Sequence, residues 1–332
     1  MPSSLKKGDL LRERYQIRRI IGRGGMGSIY LADDLRLEGR QCALKEVGYD
    51  RSLPADSLSQ TRDQFLREAT VLARLDHPNL PKVSDFFSEE DRDYLVMDYV
   101  PGKDLYTMMA EARQKDTFLD EKVVLDWANQ LADALTFLHS QDPPILHRDI
   151  KPSNLKITPS DLLKLVDFGL VKLLAPEDMT ITILQGRGTA LYTPLEQYGG
   201  DTGHTGVQSD VYSFGATLYH LLTNQPPLEA RERFLNPGQL VSIRSVNPQV
   251  SARTERSIMW AMNLHPDDRP PDVDTFRKSL MGDTIPITRP RSSYQVPSLT
   301  LREVVSGHPE RSLLLITGLL ALLGLAFSFV KF

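Results

Sequence analysis

The stretch HRDIKPSN, residues 147–154, sets an imidazole, a guanidinium, a carboxylate, an ammonium and an amide on one short segment near the middle of the chain. The sequence on either side narrows what such a set is for. Upstream, from Tyr15 to Asp98, short β-type runs (YQIRRII, SIYLA, CALKEV, YLVMDY) are separated by turns and interrupted by one helical stretch around RDQFLREATVLARL. This pattern predicts a small sheet carrying one helix. Past the turn signal Pro101-Gly102, apolar residues recur at spacings of three and four in EKVVLDWANQLADALTFLHS and SDVYSFGATLYHLLT, which predicts a larger, mainly helical lobe. The expected fold class is therefore α+β in two lobes, with the quoted stretch in the second. No internal repeat is visible.

Composition removes several functions. With 332 residues the chain is comfortable for two lobes and an extra segment. A net charge of −4 with both signs interspersed offers no broad positive surface, so no nucleic acid partner is expected. The single cysteine, Cys42, permits neither an intrachain disulfide nor a thiolate metal cluster, and places the folded part in a reducing cytoplasm. The opening MPSSLKKGDLLRERYQI lacks the apolar run of a signal peptide, so the N-terminus is expected to stay on the side of synthesis.

Near the C-terminus, residues 282–310 are rich in Pro, Ser, Thr and Arg without apolar period and read as a juxtamembrane linker. LLLITGLLALLGLAFSFV, residues 313–330, follows, with only Thr317 and Ser328 as polar interruptions. At about 1.5 Å per residue this run reaches about 27 Å, close to a bilayer's hydrocarbon thickness, and it is apolar all round rather than on one face. A transmembrane helix over 312–330 is expected. Arg289, Arg291, Arg302 and Arg311 precede it and Lys331 alone follows, which orients the bulk to the cytoplasm of a single-pass membrane protein.

IGRGGMGSIY contains a G-x-G-x-x-G in Gly22, Gly24 and Gly27, a spacing shared by dinucleotide-binding turns and by nucleotide-covering hairpins. Here SIYLA resumes a strand where a Rossmann unit would open a helix, so the glycines are expected at the tip of a hairpin, closing backbone N–H groups over phosphates. Downstream, Ala43 and Lys45 share one strand face by period two, and Cys42 and Leu44 share the other. Lys45 could reach α- and β-phosphates, and Ala43 leaves room for a base. Glu68, on the expected helix, is placed to pair with Lys45.

With loop, lysine, helix glutamate and HRDIKPSN together, the chain from about Tyr15 to Leu280 resembles a eukaryotic-type serine/threonine protein kinase, of the bacterial membrane-anchored kind. The resemblance implies a kinase domain over 15–281, after an N-terminal extension 1–14, with an N-lobe over about 15–98 and a C-lobe over about 105–281. It implies that Asp149 accepts the proton of an attacking hydroxyl, Lys151 offsets charge on the transferring phosphoryl group, and Asn154 binds magnesium. Phosphoryl transfer needs an acceptor carboxylate and cations around developing charge, which agrees with these roles. In LKLVDFGLVK the resemblance makes Asp167 a second metal ligand, with Phe168 packing and Gly169 permitting a turn. ATP and Mg²⁺ are the implied cofactors, with Mn²⁺ as a substitute. The implied N-lobe nucleotide contacts are Ile21, Gly22, Arg23, Gly24, Gly25, Met26, Gly27, Ile29, Ala43 and Lys45. In YLVMDYVPGKD, Met97 would back the adenine pocket, Asp98 to Val100 would bond adenine through the backbone, and Asp104 would meet the ribose.

Lys151 and the Thr189 of GTALYTPLEQ point to Ser or Thr acceptors in protein substrates. Arg148 and Lys172 would form a cationic pocket for a phosphate on Thr180 or Thr182, which resemble paired autophosphorylation sites. The segment ends in TPLE, with its proline one place earlier than the family's Ala-Pro-Glu. Glu196 is nonetheless expected to pair with Arg269 of HPDDRP, and Asp210 to act as the helix-capping aspartate that braces the catalytic loop. His77 and His147 read as structural. A homodimer would suit autophosphorylation in trans. The competing readings are a membrane-tethered pseudokinase acting as a nucleotide-dependent binding module, which would have lost Lys45, Asp149, Asn154 or Asp167, and a small-molecule kinase, which would not be expected to keep the Thr189 to Glu196 segment and Arg269.

Overall fold

A computed structural model describes residues 5–24, 27–47, 55–89, 92–167, 189–198 and 205–282. Its first part is built from strands β1 (Leu10–Leu11), β2 (Tyr15–Gly24), β3 (Gly27–Asp34) and β4 (Gln41–Val47), helix α1 (Ala55–Arg74), and strands β5 (Val83–Glu89) and β6 (Arg92–Asp98). The six strands form one antiparallel sheet in the order β1-β2-β3-β4-β6-β5. Strand alternation divides its side chains between two cores. Cys42, Leu44, Tyr94 and Val96 pack with Tyr15, Ile17 and Tyr30 on one face. Ala43, Val47, Leu95 and Met97 face the other way, onto Phe65, Ala69 and Leu72 of α1 and the core of the second lobe.

The second part holds β7 (Lys103–Asp104), α2 (Leu105–Gln114), α3 (Glu121–His139), β8 (Leu155–Ile157), β9 (Leu163–Leu165), α4 (Val207–Thr223), α5 (Ala230–Leu235), α6 (Ile243–Val246), α7 (Ala252–Ala261) and α8 (Val273–Met281). The expected two-lobed α+β architecture is present, and β7, β8 and β9 add a small sheet that the helical periodicities did not announce. α3 buries a stripe from Val124 through Trp127, Leu131 and Leu135 to Leu138, the amphipathic pattern its spacing predicts. It starts where Asp120 accepts hydrogen bonds from the backbone N–H groups of Lys122 and Val123.

α4 departs from its expected pattern. Every residue from Ser209 to Thr223 is buried, so it is a central helix surrounded by protein. Its close approach to α7 depends on Gly215, where an added Cβ would stand 2.9 Å from the Cβ of Ala261. Among the described residues no helix is long and apolar enough to cross a membrane, and residues 312–330 lie outside them.

The lobes are joined at residues 98–102. The Asp98 N–H donates to Lys82 O at 3.0 Å, and Gly102 then turns the chain at φ +109°. A Cβ on Gly102 would fall 1.9 Å from Ile157 O, so the turn fits against β8 only as glycine. Gly102→Ala should cost roughly 2–4 kcal/mol, seen as a fall in Tm of roughly 5–15 °C. An unchanged Tm would show that the turn is not held against β8.

Candidate functional site

β2 and β3 form the predicted hairpin, with Gly24 opposite Gly27 at its tip. Gly25 and Met26 lie outside the described residues. Ile21 and Ile29 are partly buried against the main core, and Ile29 pairs with Gly22 across the hairpin. One strand further in, Ala43 pairs with Met97 and Lys45 with Leu95. Ala43 and Met97, both buried, thus stand side by side on the inner sheet face next to the interlobe connection, as a base-sized pocket requires. Lys45 forms an ion pair with Asp167, joining the sheet to the segment after β9. Burial alone would raise the Asp167 carboxyl, but the Lys45 ammonium outweighs it and holds the group below the usual carboxylate range.

The loop between α3 and β8 is set from below by α4. Asp210, wholly buried, accepts hydrogen bonds from His147 N at 2.9 Å and Arg148 N at 2.8 Å, and its Oδ2 lies 2.9 Å from His139 Nε2. Two more α4 hydroxyls follow at helical spacing: Ser213 donates to Tyr192 O at 2.8 Å and Thr217 to Ile150 O at 3.2 Å. One face of α4 therefore grips the loop at two levels, through Asp210 and Thr217, and holds Tyr192 of the 189–198 segment between them. Under this grip Arg148 takes φ +61°, a left-handed conformation costly for a residue with a Cβ; beyond β9, Asp167 takes φ +60°.

The result is a fixed carboxylate at Asp149. Its Oδ2 accepts from Lys151 Nζ and from Asn154 Nδ2, each at 2.9 Å, and its backbone carbonyl accepts a second bond from Asn154 Nδ2 at 2.8 Å. Asp149 Oδ1 is buried and has no hydrogen-bond partner among the described residues. Lys151 Nζ also donates to Thr189 Oγ1 at 2.9 Å, tying the loop to residues 189–198. Since Nδ2 of Asn154 is committed to Asp149, its amide oxygen is the atom left to ligate. The Val166 N–H donates to Asn154 O at 2.8 Å, which seats Asp167 beside Asn154. An amide oxygen and a carboxylate form a hard donor pair that fits a divalent cation of the magnesium type. No cluster of three His, Cys, Asp or Glu exists among the described residues, so the remaining ligands would be phosphate oxygens and water.

Residues 189–198 are anchored at their far end by a buried ion pair. Arg269 donates to both oxygens of Glu196 at 2.7 and 2.9 Å, and spends its other N–H groups on Asn263 O, Gln208 O and Leu264 O. The early proline of TPLE does not disturb this pairing, because Pro194 is extended and precedes a 3-10 turn that carries Glu196.

One expectation needs correcting. Asp210 does not cap α4; Gly206 occupies that position, and Asp210 stands in the first turn, where its carboxylate turns to the loop instead. The Asp104 carboxylate caps α2, accepting from Thr107 N at 2.8 Å and Thr107 Oγ1 at 3.1 Å, and each oxygen keeps a further lone pair for the ribose expected there. Lys45 meets Asp167, and its expected pairing with Glu68 of α1 involves a side chain outside the described residues. Phe168, Gly169, Lys172, Thr180 and Thr182 also lie outside the described residues. His77 accepts from Asn79 N and stacks on Phe137, and His147 is fully buried. Sequence reasoning missed His139, Ser213 and Thr217. Their signal was a polar group at helical spacing from Asp210, or at the end of the helix leading to the loop.

The chain belongs to the protein kinase domain family, which matches residues 15–290. Similar proteins include the probable serine/threonine-protein kinase PknB of Lactococcus lactis, 31% identical over 83% of this chain and 43% of that protein. PrkC of Bacillus subtilis, a serine/threonine-protein kinase, is 33% identical over 79% of this chain and 39% of its own length. Among solved structures, the apo form of PpkA-294 superposes with a TM-score of 0.66 at 28% identity, covering 83% of this chain and 99% of the other. The Mycobacterium tuberculosis PknI kinase domain superposes at 0.63 with 26% identity, covering 85% and 100%. The chain spans less than half the length of the curated relatives PknB and PrkC.

Arg269→Ala would leave Glu196 charged and unpaired in the interior, and should cost about 3–5 kcal/mol in denaturant unfolding. Arg269→Lys should recover only part of that loss, since an ammonium cannot make the paired bonds. A loss under about 1 kcal/mol for the alanine variant would contradict the anchoring role.

Proposed function

We propose that this chain transfers the γ-phosphoryl group of Mg-ATP to Ser or Thr hydroxyls of proteins. The observation that carries this reading is the split environment of the Asp149 carboxylate. One oxygen is fixed by Lys151 and Asn154, and the other is buried and unpartnered. A buried acceptor left open in this way is costly unless a donor arrives, and a substrate hydroxyl is a fitting donor. As the hydroxyl oxygen bonds to the γ-phosphorus, its proton passes to Asp149 and the bond from the γ-phosphorus to the bridging oxygen breaks, releasing ADP. Lys151 sits between Asp149 and Thr189, so its ammonium faces both the acceptor and the transferring group. Lys45, held by Asp167, supplies positive charge where the glycine hairpin would cover phosphates. Asn154 and Asp167 would hold the divalent cation, which when bound neutralises phosphate charge.

The serine/threonine assignment draws support from the Lys151–Thr189 bond and from relatives named as serine/threonine kinases. We extend the reading to a signalling kinase in the cell membrane, tethered through 312–330 with its catalytic domain in the cytoplasm. It would autophosphorylate at Thr180 or Thr182 within a homodimer, with the new charge drawn to Arg148 and Lys172.

The full chain with Mg-ATP should incorporate phosphate into itself and into a generic basic protein. Asp149→Asn should reduce the rate by at least about a hundredfold, and chelation of divalent cations should abolish labelling. Labelling of Asp149→Asn equal to wild type would exclude the assigned role, and nucleotide binding without transfer would favour the tethered binding module. Alanine at both Thr180 and Thr182 should lower the rate; an unaltered rate would remove those residues from control.

A further inference from the structure

Lys156 stands in the middle of β8 between Leu155 and Ile157, which are both buried in the core. Strand alternation sends its side chain to the opposite face. There it runs beside Asp104, its cross-strand neighbour, and its ammonium donates to the carbonyl of Val100 at 2.7 Å, with the Tyr99 ring centroid 5.6 Å away. Asp104 and Arg19 of β2 are the charged groups whose fields reach it. A lysine in this position gives up hydration to reach a backbone carbonyl, where a long apolar residue would pack without desolvating a charge.

Val100 is the last of the residues 98–100 read above as the base-binding hinge, and the inference rests on that reading. Hinge residues offer a base a short set of backbone donors and acceptors. Asp98 N–H is already given to Lys82 O, and the Val100 carbonyl is taken by Lys156 in a short, charge-assisted bond. The two common purines differ in what they ask of such an edge. Guanine carries an amino group at C2 that needs an acceptor, whereas adenine carries only hydrogen there. An amino group brought to Val100 would meet a cation already donating to the oxygen it needs, and would be left unpaired in a partly dehydrated cleft.

We propose that Lys156 is a specificity-determining residue of the nucleotide site, which caps the hinge acceptor at Val100 and so selects adenine over guanine nucleotides. Replacing it by methionine keeps the stem and frees the carbonyl, while arginine keeps a donor and a charge within reach.

The test is equilibrium binding of ADP and GDP, each with Mg²⁺, to the full chain, with the thermal stability of every variant measured alongside. In Lys156→Met the preference for ADP over GDP should shrink about tenfold, and in Lys156→Arg it should stay within about twofold of wild type. If Lys156→Met does not fold, Lys156→Leu, which also lacks a donor, should show the same loss of preference. An unchanged preference in a folded, uncharged variant overturns the proposal while leaving the nucleotide site intact. A wild-type chain that binds neither nucleotide overturns it together with the reading of the hinge.

Discussion

The carboxylate of Asp210 is buried completely, and a buried charge is tolerated only where donors surround it. Here the donors are the backbone amides of His147 and Arg148, with the His139 ring completing the set. Burial would push this carboxyl up, yet the bonds from His139 and the loop keep it below the usual range, so it remains an acceptor at neutral pH. To present two consecutive amides to one carboxylate, the chain must take a left-handed turn at Arg148. The next residue is Asp149, whose carboxylate Lys151 and Asn154 then hold. The position of the acceptor carboxylate is thus imposed by a residue distant in sequence that touches none of the expected reactants.

The same logic recurs around the site. Glu196 and Arg269 form a buried pair that adds little net stability over apolar substitutes but permits only one seating of residues 189–198. Lys151 then bridges that segment to Asp149 through Thr189, so the Asp149 loop and residues 189–198 share one hydrogen-bonded network. Lys45 and Asp167 make the corresponding link from the sheet. Three ionic anchors therefore fix three chain segments around one point, and the helices behind them supply the rigidity.

Much of this was legible in the sequence, because short-range chemistry carries it. The carboxylate, ammonium and amide of Asp149, Lys151 and Asn154 fall within one loop, and the strand after Gly27 separates a hairpin from a Rossmann turn. What stayed hidden depends on long-range packing. Apolar spacing in SDVYSFGATLYHLLT suggests a helix with one wet face, yet α4 is buried all round and its polar residues point at the loop and at Tyr192. Asp104 resembles a ribose contact in its motif, and only the structure shows that its carboxylate also caps the helix that begins at Leu105. Lys156 carries no motif at all, and only the strand register brings it to the hinge.

The most direct test of this arrangement is the single-turnover rate of phosphoryl transfer in Asp210→Asn, with ADP affinity measured on the same protein. Asparagine would keep the volume and lose the charge that collects the two loop amides, so the rate should fall by at least about a hundredfold while ADP affinity stays within about threefold. A folded Asp210→Asn variant that transfers phosphate at the wild-type rate would contradict the claim that α4 sets the catalytic loop.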